Sequence, residues 1–568
     1  MVELTAAQRR VVDHDGDLFL LACPGSGKTR AAAARVARLA DERRLAVCSY
    51  TNVGKDRIAE VLREDFDTVL GPEHFLGTIH TFLLRYVLYP FASLMSCKGR
   101  PHVREGEWPT IAVGGNHKKR IAVDAFRCAP DGTLVVKRKP HYIGESDKEL
   151  IAIVDGQVRA QKRSHLERGI ISFDDAIWVA LSILRGNPDI ARAVAGRFDE
   201  LLLDEAQDTS ELQLAAIGAL RATDALKSLV LVGDLEQSIF SFQGASADGC
   251  RQLAEECDLE VLELTQNHRS SQRICDVAVH FCERSDPDEA VGPDADCGIP
   301  PQMVLYPAAD APAAIGIYRE RLEEHGIDPL GAAVLARGNT LVDELNGRSS
   351  VIDVSARPLA LGRACAALRQ GTLLRRQVKE VEALLAFCTW DHESLELLEP
   401  EQLEAMRPLA FALLQDLPPL DEDLRSWIRA AAKLLGKAAA ALDPDPAHAG
   451  GQVLRSSADQ EGHKAAEVFV RAPRELVAQT VHDLKGEDRE AVMVVLDRPR
   501  STRFVAQATL WESALSGAEV AARDAEEKRI AFVALTRAQR YCLVALPDDA
   551  HGRAAAAAFG ERGFELVD

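Results

Sequence analysis

The sequence predicts an α/β chain with two parallel-sheet cores, each interrupted by an inserted, mainly helical subdomain. Three observations carry this. Short apolar runs rich in Val, Leu and Ala alternate with stretches of helical periodicity, the pattern of strands buried on both faces. The runs fall into an early and a late group. Two stretches of different composition break the rhythm, one within each group. A length of 568 residues with 47% hydrophobic content leaves room for about three to five domains.

The first strand is expected at Asp17–Ala22, before a glycine-bearing turn and an Ala/Arg-rich helix from about Lys28 to Glu42. The second is expected at Leu45–Tyr50. Further buried strands are read at Glu200–Leu203, Ser228–Val232, Ala332–Leu335 and Val492–Leu496. Between Lys98 and Arg168 there are 15 Lys/Arg against 9 Asp/Glu, a local charge of +6 in a chain of −20. From about 346 to 475 the chain is rich in Leu, Ala and Glu with helical periodicity, including Val378–Thr389 and Leu424–Leu442, and breaks near Asp443-Pro444-Asp445-Pro446 and Gly450-Gly451. The expected partition is a first core at 1–88 and 171–265 around a basic insertion at 89–170. A second core follows at 266–345 and 476–568, around a helical insertion at 346–475.

The sequence has no run of about 18 uncharged apolar residues, so no membrane span is expected. The first residues lack a secretory leader pattern, and the twelve Cys include no CxxC pair, so a cytoplasmic protein with reduced thiols is expected. The seven-residue gaps Cys250/Cys257 and Cys275/Cys282 read as buried helical stripes. A charge of −20 argues against coating nucleic acid over the whole surface but allows a local basic groove.

Ala22-Cys23-Pro24-Gly25-Ser26-Gly27-Lys28-Thr29 is a phosphate-binding loop between a strand and a helix. Its glycines let backbone amides close around phosphate oxygens, with Pro24 and Ser26 beside them, and the helix N-terminus adds a favourable dipole. Lys28 would neutralise the β- and γ-phosphates, and Thr29 would ligate Mg²⁺. Leu202-Leu203-Asp204-Glu205-Ala206-Gln207-Asp208 ends a strand in two adjacent carboxylates. Asp204 would hold Mg²⁺, and Glu205 would accept the proton of the attacking water.

Gly233–Ala245, Gln266-Asn267-His268-Arg269-Ser270, Thr480–Gly486 and Val533-Ala534-Leu535-Thr536-Arg537-Ala538 resemble, in the same order, motifs of the UvrD/Rep-type superfamily 1 DNA helicases. The resemblance runs from Gln8 to Arg537 and implies two RecA-like cores with ATP and Mg²⁺ between them. It implies that Gln8 reads the adenine edge and that Arg30 lies against base or sugar. Gln237 would sense the γ-phosphate, and Arg269 and Arg537 would act as arginine fingers. Along the nucleic-acid track it implies contacts from Tyr50, Thr51 and Asn52, from Thr78 and His80, and from His482. Phe240 and Phe242 would stack on unpaired bases. Ile171–Asp175 also fits the family and is read as structural.

Three substitutions depart from the family pattern. His268 replaces the usual tyrosine on adenine, and Gln243 the arginine before Gly244-Ala245. Asp488 stands for the glutamate that holds the ribose. The basic clusters His117–Arg120 and Lys137–Lys139 suggest a grip on duplex DNA ahead of the motor.

The expected activity is that of an ATP-dependent DNA helicase or translocase, 3′→5′ by resemblance, on single-stranded DNA and single-/double-strand junctions. The alternative is a DNA-stimulated ATPase motor within a nuclease-containing complex, such as a Gabija-like anti-phage defence system. Its nuclease would be a partner protein.

Overall fold

The structure is a computed structural model. It describes residues 4–97, 100–104, 108–140, 142–240, 244–347, 354–391, 395, 398, 400–470, 476–498, 505–517 and 525–567, the side chains at 116–118, 376, 400 and 459 excepted. The first sheet comprises β1 (Leu18–Ala22), β2 (Leu45–Ser49), β3 (Phe75–Thr78), β4 (Glu200–Asp204), β5 (Ser228–Gly233) and β6 (Glu260–Leu264). Its order is β6-β1-β5-β4-β2-β3, with every pair parallel.

Strand alternation divides the apolar side chains between two layers. Phe19, Leu201 and Leu203 face the layer of helices Phe173–Gly186 and Glu211–Arg221. Leu18, Leu20 and Leu202 face helices Lys28–Leu39 and Asn52–Phe66. Both faces are therefore dry, which is why these strands read as unbroken apolar runs.

The helix after the phosphate loop is fixed from below. Arg35, fully buried, forks onto Glu200 with two 2.8 Å bonds and donates to the carbonyls of Val11 and His14. Ser228 completes the pair by donating to Glu200. Removing one partner from such a buried pair costs roughly 3–5 kcal/mol.

The second sheet comprises β7 (Gln302–Tyr306), β8 (Ala332–Ala336), β9 (Ala478–Thr480), β10 (Arg489–Val495), β11 (Ala538–Pro547) and β12 (Glu565–Val567). Its order is β9-β8-β10-β11-β7-β12, again all parallel. On β10, Val492 and Val494 face one apolar layer, and Ala491, Met493 and Val495 the other.

The second insertion is helical, with Ala356–Arg369, Arg375–Trp390, Pro400–Asp416 and Leu424–Leu442 packed around the buried Trp427. The first insertion corrects the expectation of a mainly helical unit. Two antiparallel hairpins, Thr110–Val113 with Asn116–Ala122 and Phe126–Cys128 with Leu134–Val136, share a core with the long helix Asp147–Glu167. The physical reason lies in the turns: Gly114 and Gly115 both have positive φ (58° and 76°), which a two-residue hairpin loop requires.

The cysteine stripes are also corrected. The helices end at Glu256 and Ala278, so Cys257 and Cys282 lie beyond them and only Cys257 of the four is partly exposed. All twelve thiols are free. No helix of the described residues is long and apolar enough to cross a membrane.

Candidate active site

The C-terminal ends of β1, β4 and β5 meet at one edge of the first sheet, where parallel α/β sheets place their ligands. β1 runs into the phosphate loop. Gly25 and Gly27 adopt φ of 70° and 76°, and Gly27 caps the helix beginning at Lys28. A Cβ on Gly25 would lie 2.6 Å from Asn267 Oδ1 and from Arg269 Cβ, and one on Gly27 would lie 2.6 Å from Gln8 Nε2. Glycine is therefore required twice over, by conformation and by space. β4 delivers Asp204 and Glu205, with Glu205 itself at φ 55°.

The opposite wall comes from the second core, which presents Asp488 and Arg537 just before β10 and β11. The segment Gln266–Ser270 lies between the cores. His268 N–H donates to Gly25 O at 3.0 Å, while Arg269 donates to Thr536 O at 3.1 Å and Ser270 Oγ to Ala538 O at 2.7 Å. Lys28, Glu205 and Gln237 thus line the same cleft, of about 1430 Å³, as Arg269, Lys485 and Arg537.

The charges in this cleft are unbalanced. Lys28 Nζ lies 3.0 Å from Glu205 Oε2, and Gln207 donates to the same oxygen at 2.6 Å. Burial opposes charging Lys28, but Glu205, Asp204 and Asp234 outweigh it and raise its pKa. Burial would also raise Glu205, but Lys28 and Lys485 hold it below the usual carboxylate range. Asp204 is pushed up by burial and by the neighbouring Glu205 charge. Across the cleft, burial and then repulsion from Arg269 bring Arg537 down to about 9. Burial lowers Arg269 as well. Arg537, buried with no carboxylate partner among the described residues, and Arg269, which meets Asp488 only at 4.0 Å, call for an anion, and a buried carboxylate beside a second one calls for a cation. Ser26 Oγ in the loop is buried with no hydrogen-bond partner among the described residues. The residues present therefore fit a nucleotide phosphate chain. Thr29, whose Oγ1 is 3.4 Å from Asp204 Oδ2, could hold a divalent cation with that carboxylate.

Residues 4–104 and 133–258 match the UvrD/REP helicase N-terminal domain. Similar curated proteins include an ATP-dependent DNA helicase PcrA of Leuconostoc citreum, 25% identical over 46% of this chain and 37% of its own. An ATP-dependent DNA helicase UvrD1 of Mycobacterium leprae is 26% identical over 48% and 39%. One subunit of an ATP-dependent helicase/nuclease from Exiguobacterium sibiricum is 32% identical over 42% and 20%. The family match spans 227 of the 568 residues. The chain covers less than half the length of each of these relatives.

Gln8, Arg30, His268 and Asp488, singled out by sequence, also line this cleft. Both ends of the Gln8 amide are engaged: Oε1 accepts from Thr5 N–H and Nε2 donates to Ser26 O, each at 3.0 Å. Arg30 lines the cleft but pairs with Asp65 at 2.9 Å. His268 also lines it, and its pKa is lowered by burial and by Arg30. Asp488 accepts from Gln539 at 2.6 Å.

On the strand-end side, the Thr51 and Thr78 hydroxyls cap helices, accepting from Gly54 and Thr81 N–H, and Asn52 opens the helix capped by Thr51. His80 is buried beneath the half-exposed ring of Phe173, stacked at 3.5 Å with both ring nitrogens unpartnered among the described residues. Burial holds His80 at about 3, so its ring is neutral. The surface it was expected to supply belongs to Phe173, placed there by the N-cap Ser172. Phe240 packs against the second core, with Tyr50 at 5.8 Å and His482 at 5.5 Å. It is joint material between cores and not an open stacking platform. His482 Nε2 lies 3.0 Å from Ile239 O. Phe242 and Gln243 lie outside the described residues.

Lys485 lies inside one of the family motifs, yet sequence reasoning assigned it no role. It bonds both oxygens of Asp208 at 2.6 and 2.7 Å and donates to Gln237 O at 2.5 Å, tying the second core to the first. The basic clusters of the first insertion are neutralised locally. Lys119 pairs with Glu145, Lys137 with Asp174, Arg138 with Asp124 and Lys139 with Asp147, while Arg120 bonds Thr110. The side chains of His117 and Lys118 lie outside the described residues. Acids interleaved in the same segment, with Asp174 of the first core, supply the partners.

Proposed function

We propose that this chain is an ATP-dependent DNA helicase or translocase. It would hydrolyse ATP to move along single-stranded DNA, 3′→5′ as the family resemblance implies, and engage single-/double-strand junctions. The observation that carries the reading is the shared cleft, with Lys28, Thr29 and Glu205 on one wall, Asp204 behind Thr29, and Arg269 and Arg537 on the other wall.

The phosphate chain of ATP takes up the loop amides from Gly25 to Thr29 and draws Lys28 away from Glu205. Glu205, no longer held by the ammonium, rises in basicity and can take a proton from water. Thr29 and Asp204 would hold Mg²⁺, which would offset negative charge on the phosphates. Arg269 and Arg537 place positive charge on the transferring group from the second core, with the Gln237 amide between that core and the first. Turnover thereby requires the cores to close and relax, which moves His482 of the second core relative to Tyr50 and Phe173 of the first.

ATP hydrolysis stimulated by single-stranded DNA, abolished by Lys28→Ala, tests the reading. Turnover indifferent to DNA or to Lys28→Ala would end it. A second reading is a DNA-stimulated motor with little unwinding alone, served by a nuclease partner. The locally paired basic clusters favour it, as does similarity to part of a helicase/nuclease. Strand displacement by the purified chain distinguishes the two.

A further inference from the structure

Arg284 lies outside every motif described above. It follows Phe281 and Cys282, both buried in the second core. Its guanidinium crosses to the first core, where Nη2 meets Asp234 Oδ1 at 2.8 Å, while Nη1 meets Asp288 Oδ1 at 2.8 Å. It also lies 5.5 Å over the ring of Phe532, on the helix that runs up to Arg537. Asp234 is 1% exposed, and its second oxygen accepts from Gln237 Nε2 at 2.7 Å. The other end of that amide, Oε1, accepts from Arg537 Nη2 at 2.9 Å. The four side chains form one line from the second core, through the first, and back to the second.

We propose that Arg284 is a positioning residue for ATP hydrolysis, fixing through Asp234 which end of the Gln237 amide faces Arg537. The inference rests on the functional reading above. The physical argument is donor–acceptor matching. Asp234 as a carboxylate only accepts, so Gln237 must turn Nε2 toward it and Oε1 toward Arg537. Arg284 pins Oδ1 of that buried carboxylate, so that Oδ2 is the oxygen turned to Gln237. Without it the carboxylate is free to rotate, Oδ2 leaves Nε2, and nothing holds the amide against flipping. Arg537 then meets a donor instead of an acceptor and loses its orientation.

The test is a double-mutant cycle on the full chain, with single-stranded DNA present. Arg284→Met is expected to lower kcat roughly 10- to 100-fold, with KM for ATP and the affinity for a fluorescent ATP analogue nearly unchanged. Arg284→Lys should recover much of the loss. In a Gln237→Ala background, Arg284→Met should lower kcat no further, because the amide it orients is gone. Should Arg284→Met aggregate, Arg284→Gln carries the same cycle. Additive losses, or a fall in thermal stability with kcat intact, overturn the proposal. An unmodified chain without DNA-stimulated hydrolysis would sink the functional reading and the proposal together, whereas hydrolysis with additive losses removes the proposal alone.

Discussion

Arg537→Met separates a residue that serves bound phosphate from one that holds the fold together. Arg537 is 2% exposed, and its partners among the described residues are Val533 O, Glu487 O and the Gln237 amide, with no carboxylate. A guanidinium brought down to about 9, first by burial and then by Arg269, is disfavoured in its charged form by on the order of a few kcal/mol. Met removes that penalty and fills much of the same space. The three lost hydrogen bonds cost about 1 kcal/mol each, so the two effects nearly cancel. The melting temperature without nucleotide should stay within a few degrees of the parent. ATP turnover should fall by roughly a thousandfold or more, the scale of a lost arginine finger. A non-hydrolysable ATP analogue should raise the melting temperature less in the variant, because bound phosphate no longer relieves a strained charge. Steady-state ATPase assays and thermal melts with and without the analogue supply all three numbers. A loss of turnover below about tenfold, or a collapse of the nucleotide-free melting temperature, would refute the reasoning.

Two other outcomes follow from buried charges at contacts between parts of the chain. Lys485→Met leaves Asp208, 2% exposed and already raised to about 6 mainly by burial, without its cation. The contact between cores should weaken by roughly 3–5 kcal/mol, read as faster limited proteolysis, and adding Asp208→Asn should restore much of the resistance; persistent sensitivity in the double variant would count against the pairing. Asp391 joins the insertions, lying 2.5 Å from His102 and 2.6 Å from His448. Burial pushes Asp391 up but the two imidazoles outweigh it, so its folded pKa lies below the ordinary aspartate value. A depressed acid stabilises above its unfolded value and loses that contribution as pH falls through the folded one. Asp391→Asn should therefore loosen the insertions at neutral pH and flatten their response below about pH 4, followed by fluorescence transfer between dyes on the two insertions; an unchanged acid response would remove the clasp.

The central strands of the first sheet are legible because both faces of each are dry: Leu18–Ala22, Glu200–Asp204 and Ser228–Gly233 carry little but apolar side chains. The edge strands are not. Glu260–Leu264 exposes Glu260, Val261 and Glu263, and Glu565–Val567 exposes Glu565 and Leu566, so neither presents a continuous apolar run. The helix Leu424–Leu442 is legible to its ends, whereas the Gly114-Gly115 hairpin is hidden by the polar and basic residues around it. In the site, a loop such as Cys23–Thr29 is readable because its chemistry is local to one turn.

The sequence by itself determined the α/β class, the phosphate loop, the Asp204-Glu205 pair and the identity of the two arginines facing them. Each depends on neighbours a few positions away, or on a string long enough to be specific. Only the tertiary structure decided that His80 lies under Phe173, that Phe240 belongs to the joint, and that Arg284 reaches Asp234. Those outcomes depend on which side chains burial leaves needing a partner. The partners stand far apart along the chain, 50 residues for Arg284 and Asp234 and 243 for His482 and Ile239, beyond the reach of any local pattern.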